Sequence, residues 1–156
     1  MEYILLLTAC INPDGMPFTC LADVGVRKKQ YIEALNFYLK NTTRKIVFVE
    51  NSGTDISSSF KDFQHRIEFL CFDGNLCFDK RKGKGYGEAL ILEYAMAKSE
   101  FITDDVLIFK LTGRLQLINI NRLIHYMDKL SPSKNFVCVV PVSYTHLRAH
   151  ETDQYL

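Results

Sequence analysis

The residues best suited to chemistry form the run Lys82-Gly83-Lys84-Gly85-Tyr86-Gly87-Glu88, which opens directly into the apolar-periodic stretch Ala89 to Ile102. Glycines let a backbone approach a ligand closely, lysines supply positive charge, and the first N–H groups of a following helix lack intrahelical partners. The chemistry suggested is anion binding. Neither standard phosphate fingerprint is matched: Gly85 follows Lys84 where a Walker loop has Ser or Thr, and the glycines do not sit at the end of a strand. The competing explanation is a solvated basic turn ahead of a helix.

Three other polar groups follow apolar runs. Thr8, Asn12 and Asp14 end the first; Glu50, Asn51, Ser52, Gly53 and Asp55 end the second; Lys110, Thr112, Gly113 and Arg114 end the fourth. Asp73 and Asn75, with the basic loop, end the third. Acidic and amide side chains suit ribose hydroxyls and base edges, and Lys or Arg suits phosphate, Arg through two parallel N–H bonds. Together they fit a nucleoside diphosphate better than a bare nucleoside.

The elements that must position these groups read as alternating strands and helices. Tyr3 to Cys10 is a short continuous apolar run, the mark of a strand buried on both faces of a parallel sheet, and Lys45 to Glu50, Ile67 to Phe72 and Val106 to Leu111 read as three further strands. Between them, Arg27 to Leu39 and Glu88 to Phe101 show helical spacing, and Thr54 or Asp55 caps a short helix through Phe63. Beyond Arg114 come a strand or turn over Leu115 to Ile120, a helix Asn121 to Leu130 and a truncated strand Phe136 to Val140. The expected fold is α/β, a Rossmann-like, mostly parallel sheet flanked by helices, with right-handed crossovers. In such sheets ligands bind outside the carboxyl ends of the strands, where all four polar groups fall.

Each candidate also has a plainer explanation. Asp55 suits a helix cap, Glu50 and Asn51 suit a turn, and Lys110 and Arg114 suit surface ion pairs. Glu50, at the tip of a buried strand, is favoured for ribose. Glu88 either faces the site or complements the helix dipole. His65 and His125 read as surface residues, and Tyr31, Tyr38 and Tyr94 as core.

Composition excludes several classes. The chain has 156 residues, 47% hydrophobic and 24% charged, and a net charge of +1, which gives no electrostatic case for nucleic acid or a membrane surface. Tyr3 to Ile11 is too short to span a bilayer, so a cytoplasmic protein without a transmembrane segment is expected. Cys10, Cys20, Cys71, Cys77 and Cys138 are odd in number and contain no Cys-x-x-Cys; they read as reduced thiols, mostly in the core.

The last residues stand apart. Val142-Ser143-Tyr144-Thr145-His146-Leu147-Arg148-Ala149-His150-Glu151-Thr152 resembles a translated transposase-type sequencing adapter, so residues 142–156 are expected to be a non-native tail and residues 1–141 an incomplete domain. Without the tail the chain has one arginine and two acids fewer than its 19 basic and 18 acidic residues, a net of +2.

Ile46-Val47-Phe48-Val49-Glu50-Asn51-Ser52-Gly53-Thr54-Asp55 resembles the strand and loop with which GT-A-type glycosyltransferases grip the base and ribose of a nucleotide sugar. Gly83 to Ile102 is similar to the segment those enzymes place before their metal-binding strand, and Lys110-Leu111-Thr112-Gly113-Arg114 resembles a Lys-x-Thr-Gly-Arg motif of bacterial surface-polysaccharide glycosyltransferases. The resemblance covers Tyr3 to Leu115. It implies a nucleotide-sugar donor, a glycan or lipid-linked glycan acceptor, and a full-length protein peripheral to the inner membrane. It implies a donor site of Thr8, Asn12, Glu50, Asn51, Ser52, Gly53, Asp55, Lys84, Gly85, Tyr86, Gly87, Glu88, Lys110, Thr112, Gly113 and Arg114.

One departure bears on cofactors. The family's Asp-x-Asp, which holds a divalent Mn or Mg ion, is replaced by Lys110-Leu111-Thr112, while Asp104 and Asp105 precede the strand. Lys110 and Arg114 are therefore expected to neutralise the diphosphate in place of a metal. No catalytic base is assigned, and the fragment is expected to be inactive alone. A sugar nucleotidyltransferase and a non-catalytic nucleotide-binding module are the alternatives.

Overall fold

The protein is described by a computed structural model covering residues 2–16 and 19–129. The expected strand at Phe136 to Val140, Cys138 and the adapter-like tail lie outside the described residues. Four strands, β1 (Glu2–Ala9), β2 (Lys45–Glu50), β3 (Ile67–Cys71) and β4 (Val106–Thr112), form one sheet of order β3-β2-β1-β4 in which every pairing is parallel. Helices flank both faces. The fold is α/β and consistent with a Rossmann-like sheet.

β1 is central and buried from Tyr3 through Ala9 because both its faces are covered. Leu5, Leu7 and Ala9 point to one side, where they join Tyr31, Leu35 and Tyr38 of α1 (Val24–Asn41); Ile4 and Leu6 point to the other. Each such aliphatic side chain, fully removed from water, contributes about 1.5–3 kcal/mol before conformational entropy is counted. Asp23 caps α1 by accepting from Val26 N–H at 2.7 Å, so the helix starts three residues before the periodic pattern that begins at Arg27.

Between β2 and β3 the expected short helix is a 3-10 segment, Ser57–Phe63, interrupted at Phe60, whose φ of −131° is non-helical. The interruption turns Phe60 inward, 5.7 Å from the ring of Phe69. After β3 come a single helical turn, α2 (Gly74–Cys77), a 3-10 turn at Lys80–Lys82, and α3 (Gly83–Lys98).

α3 corrects the sequence reading. Gly83 to Gly87, expected as a loop, form its first turns. Glycine in a helix costs about 0.5–1 kcal/mol relative to Ala, so tertiary contacts must hold this end: Gly87 is buried under Phe78, and Glu88 bonds to β1 and β4. Ile91 and Ala95 then cover Ile4, Leu6, Val47 and Val49.

Leu115 to Asn119 resolves as a turn, anchored where the Tyr38 hydroxyl donates to Leu115 C=O at 2.7 Å and accepts from Leu117 N–H at 3.1 Å. α4 (Ile120–Asp128) then packs Ile120, Ile124 and Met127 on the α1 side. The chain runs β1 to β2 through α1, but α3 carries it from β3 back across to β4 on the far side of β1. Strand order therefore switches between β1 and β4, the position at which open α/β sheets have their ligand crevice.

Candidate functional site

Two groups of residues meet at the carboxyl end of the sheet, and they differ in what holds them. The first joins the exits of β1 and β2. Glu50 is 1% exposed, and its carboxylate accepts from Ile11 N–H (2.8 Å), Ser52 N–H (2.9 Å), Thr54 N–H (2.8 Å) and the Ser52 hydroxyl. The Cys71 thiol lies 3.6 Å away. Such a carboxylate has no free lone pair to offer a ribose, so the sequence expectation for Glu50 is corrected: it ties two loops together.

Arg27 completes that tie. Its guanidinium, on a side chain 7% exposed, donates to Cys10 C=O, Ile11 C=O (3.2 Å) and Leu21 C=O (3.1 Å). Cys10 N–H donates to the Tyr31 hydroxyl at 3.0 Å, and Ser52 accepts from Asn12 N–H at 2.9 Å. Sequence reasoning missed Arg27. The signal was present, because Arg27 shares a helical stripe with Tyr31, Ala34, Leu35 and Tyr38, all of them buried.

Asn75, read from sequence only as part of a turn, is also buried. Its Nδ2 donates to Asn12 C=O at 3.0 Å, its N–H donates to Asn51 C=O at 2.6 Å, and Lys80 reaches the Asp14 carbonyl beside it. The Oδ1 atoms of Asn51 and Asn75 are buried with no hydrogen-bond partner among the described residues. Unpaired buried acceptors cost about 1–3 kcal/mol each, so this is where a donor from a ligand or water would gain most.

The second group occupies the crevice between β1 and β4. Thr8, on the α3 side of β1, donates from its hydroxyl to Glu88 Oε1 at 2.8 Å, and the same carboxylate oxygen pairs with the Lys110 ammonium. Glu88 thus faces the site. Lys110 and Glu88 side chains remain 40% and 36% exposed. On the α1 side, Arg114 donates to Gln30 Oε1 at 3.0 Å. Gly113 lets the two exits approach closely: its N–H donates to Thr8 C=O at 2.9 Å, and a Cβ there would lie 2.7 Å from that oxygen and 3.1 Å from the Tyr31 ring.

The remaining candidates fall elsewhere. Asp55 accepts from the N–H of Ser57 at 2.7 Å and from its hydroxyl at 3.0 Å, a capping role. Gly53 adopts φ 72° against the Asp73 carboxylate. Lys84 and Gly85 are exposed on the first turn of α3, and Tyr86 packs on Phe78 with the Lys82 ammonium 4.4 Å from its ring centre. The Lys82 to Glu88 run is therefore divided, with Lys84, Gly85 and Tyr86 on the first turns of α3. Glu88 is the member of that run that joins the crevice, beside exposed Thr112.

Two thiols near the strand ends are held in the protonated form. Burial pushes the Cys10 thiol up to about 11, against the opposing charge of Arg27, and burial followed by the charge of Glu50 pushes Cys71 up to about 12. Cys20 and Cys77 are exposed, which corrects the expectation of mostly core thiols. Among the described residues no three or more His, Cys, Asp or Glu side chains are grouped to hold a metal ion. The donor set at the end of β4 does not fit a divalent ion either, since Lys110 and Arg114 are cations and Thr112 is the one neutral oxygen donor between them. No helix among the described residues is long and apolar enough to cross a membrane.

No protein-family model matches the chain, and neither a curated protein nor a solved structure matches it.

Proposed function

We propose that this chain is the nucleotide-sugar-binding part of a GT-A-type glycosyltransferase that passes a sugar from a nucleoside-diphosphate donor to a surface-polysaccharide or lipopolysaccharide acceptor. The observation that carries this reading is the Thr8–Glu88–Lys110 chain at the switch between β1 and β4, with Arg114 on the opposite wall. A crevice at that position holding two cations suits a diphosphate. The buried, unpaired Oδ1 atoms of Asn51 and Asn75 lie over the β1 and β2 exits, where a base or ribose N–H or O–H donor would satisfy them.

In the transfer an acceptor hydroxyl attacks the anomeric carbon, the bond to the diphosphate oxygen breaks, and negative charge builds on the departing group. Lys110 and Arg114 would stabilise that charge, as preorganised cations do in phosphoryl chemistry. Glu88 and Thr8 position Lys110, and no residue is assigned the role of base.

Calorimetric titration with nucleotide sugars, nucleoside triphosphates and inorganic phosphate, with and without manganese, tests the proposal. Expected is binding of nucleoside-diphosphate sugars that needs no metal and is weakened by Lys110→Ala. Binding of triphosphates alone would overturn the transferase reading, and strict dependence on manganese would overturn the role given to Lys110 and Arg114.

A further inference from the structure

A cavity of about 610 Å³ lies away from the β1 and β4 exits. It lies between the end of β3, α2 and the flank of α3 that carries Tyr86, Leu90, Glu93, Tyr94 and Ala97. At 100° per residue these positions point away from Glu88, so α3 has the Thr8–Glu88–Lys110 group on its β4 flank and this groove on its β3 flank. A volume between roughly 300 and 1,000 Å³ is the usual range for a small-molecule site.

The lining has a definite chemistry. Phe72 and Tyr94 stack with ring centres 4.1 Å apart and planes 11° from parallel, and Phe78 and Tyr86 add a second aromatic pair at 5.7 Å. Three carboxylates, Asp73, Asp79 and Glu93, stand against one lysine, Lys82, whose ammonium sits over the Tyr86 ring. Asp79 is occupied by Arg81 at 2.8 Å, whereas Asp73 and Glu93 form no salt bridge among the described residues. Excess negative charge opposes a phosphate or nucleotide. A neutral ring edged with hydroxyls fits instead, its C–H face on the aromatic side chains and its O–H groups donating to the carboxylates in charge-assisted bonds.

We propose that this groove is a saccharide-binding subsite, taking one or two hexose units of a glycan on the Phe72–Tyr94 platform with Asp73 and Glu93 as hydroxyl acceptors. It lies on the far side of α3 from the crevice and so grips sugar remote from any reacting end. Its link to glycosyl transfer, as a hold on a growing acceptor chain, rests on the proposed function; the binding itself does not.

The test is amide NMR titration of the chain with methyl hexosides and their disaccharides at millimolar concentrations, and separately with inorganic phosphate and a nucleoside diphosphate. Expected are saturable shifts at Gly74, Tyr86 and Tyr94 with at least one saccharide, unmoved Thr8 and Gly113 amides, and an affinity lowered about fivefold or more in Glu93→Gln, whose site is exposed and safe for folding. Tyr94→Ala should abolish the shifts and Tyr94→Phe retain them. No saturable shift with any saccharide, groove shifts driven by phosphate or nucleotide, or an unchanged affinity in Glu93→Gln would overturn the proposal. Nucleoside diphosphate shifts at Thr8 and Gly113 report on the crevice alone, so the two readings fail independently.

Discussion

Glu50 and Glu88 make an instructive pair: both are glutamates beside the carboxyl ends of parallel strands, yet one is locked and the other is available. Glu50 accepts from three backbone N–H groups and a hydroxyl in a site 1% exposed. Glu88 contacts only side chains, Thr8 and Lys110, with 36% of its own side chain open to solvent. Backbone donors cannot leave without unfolding a loop, whereas a lysine can turn from a carboxylate to a phosphate at little cost. What a charged residue at a strand end can do is decided by whether its partners are main chain or side chain.

The comparison breaks most sharply at Glu50. Glu50→Ala should lower unfolding free energy by about 3 kcal/mol, since it strands one buried and two half-buried N–H groups, the buried one at about 1–3 kcal/mol, and urea denaturation would measure it. A loss below 1 kcal/mol would mean that the tie is dispensable. Lys110→Ala should do the reverse: about a hundredfold weaker binding of a nucleoside-diphosphate sugar, the scale of a lost charge-assisted bond near 2.7 kcal/mol, with a change in stability under 1 kcal/mol. Calorimetry and denaturation on the same sample separate the two effects.

Gly113→Ala tests the geometry that joins the regions. With Thr8 C=O only 2.7 Å from the added carbon, the β4 exit must shift, at about 1–3 kcal/mol, and donor affinity should fall with it. The smallest effect concerns pH. Cys10 and Cys71 ionise far more readily in the unfolded chain than in the fold, where their thiols are pushed up to about 11 and about 12. The unfolded state therefore loses protons first, and stability should decline as pH rises above about 9. Alkylation at pH 8 should label Cys20 and Cys77 quickly and Cys10 and Cys71 slowly; four equal rates would contradict this.

Much of the fold was legible in the chain. Tyr3 to Cys10 announces a strand because burial on both faces demands an unbroken apolar run, and Lys45 to Glu50, Ile67 to Phe72 and Val106 to Leu111 do so by β-branched and aromatic residues, although β3 and β4, at the sheet edges, are only partly buried. Sheet order was not legible, since no local pattern encodes which strand a crossover reaches. Gly83 to Gly87 misled because intrinsic propensity argues against a helix there, and the contacts that overrule it, Phe78 on Gly87 and Lys110 on Glu88, come from elsewhere in the chain. Residue type singled out Lys110, Glu88 and Thr8, whose side chains the fold brings together, but could not separate Glu50 from them, because its three N–H partners belong to main chain that any residue could supply. Arg27 was visible only as a charge on an apolar stripe.

The Glu50 tie also has a dynamic side. Because Ile11 on one loop and Ser52 and Thr54 on the other donate to one buried carboxylate, the Ile11 amide meets solvent deuterium when the two loops part, and the Ser52 and Thr54 amides when their own loop opens around Glu50. They should exchange on the slow timescale of the central strands rather than at the rate typical of loops. Those loops are then a rigid floor, and any breathing of the crevice belongs to α3 and the exit of β4.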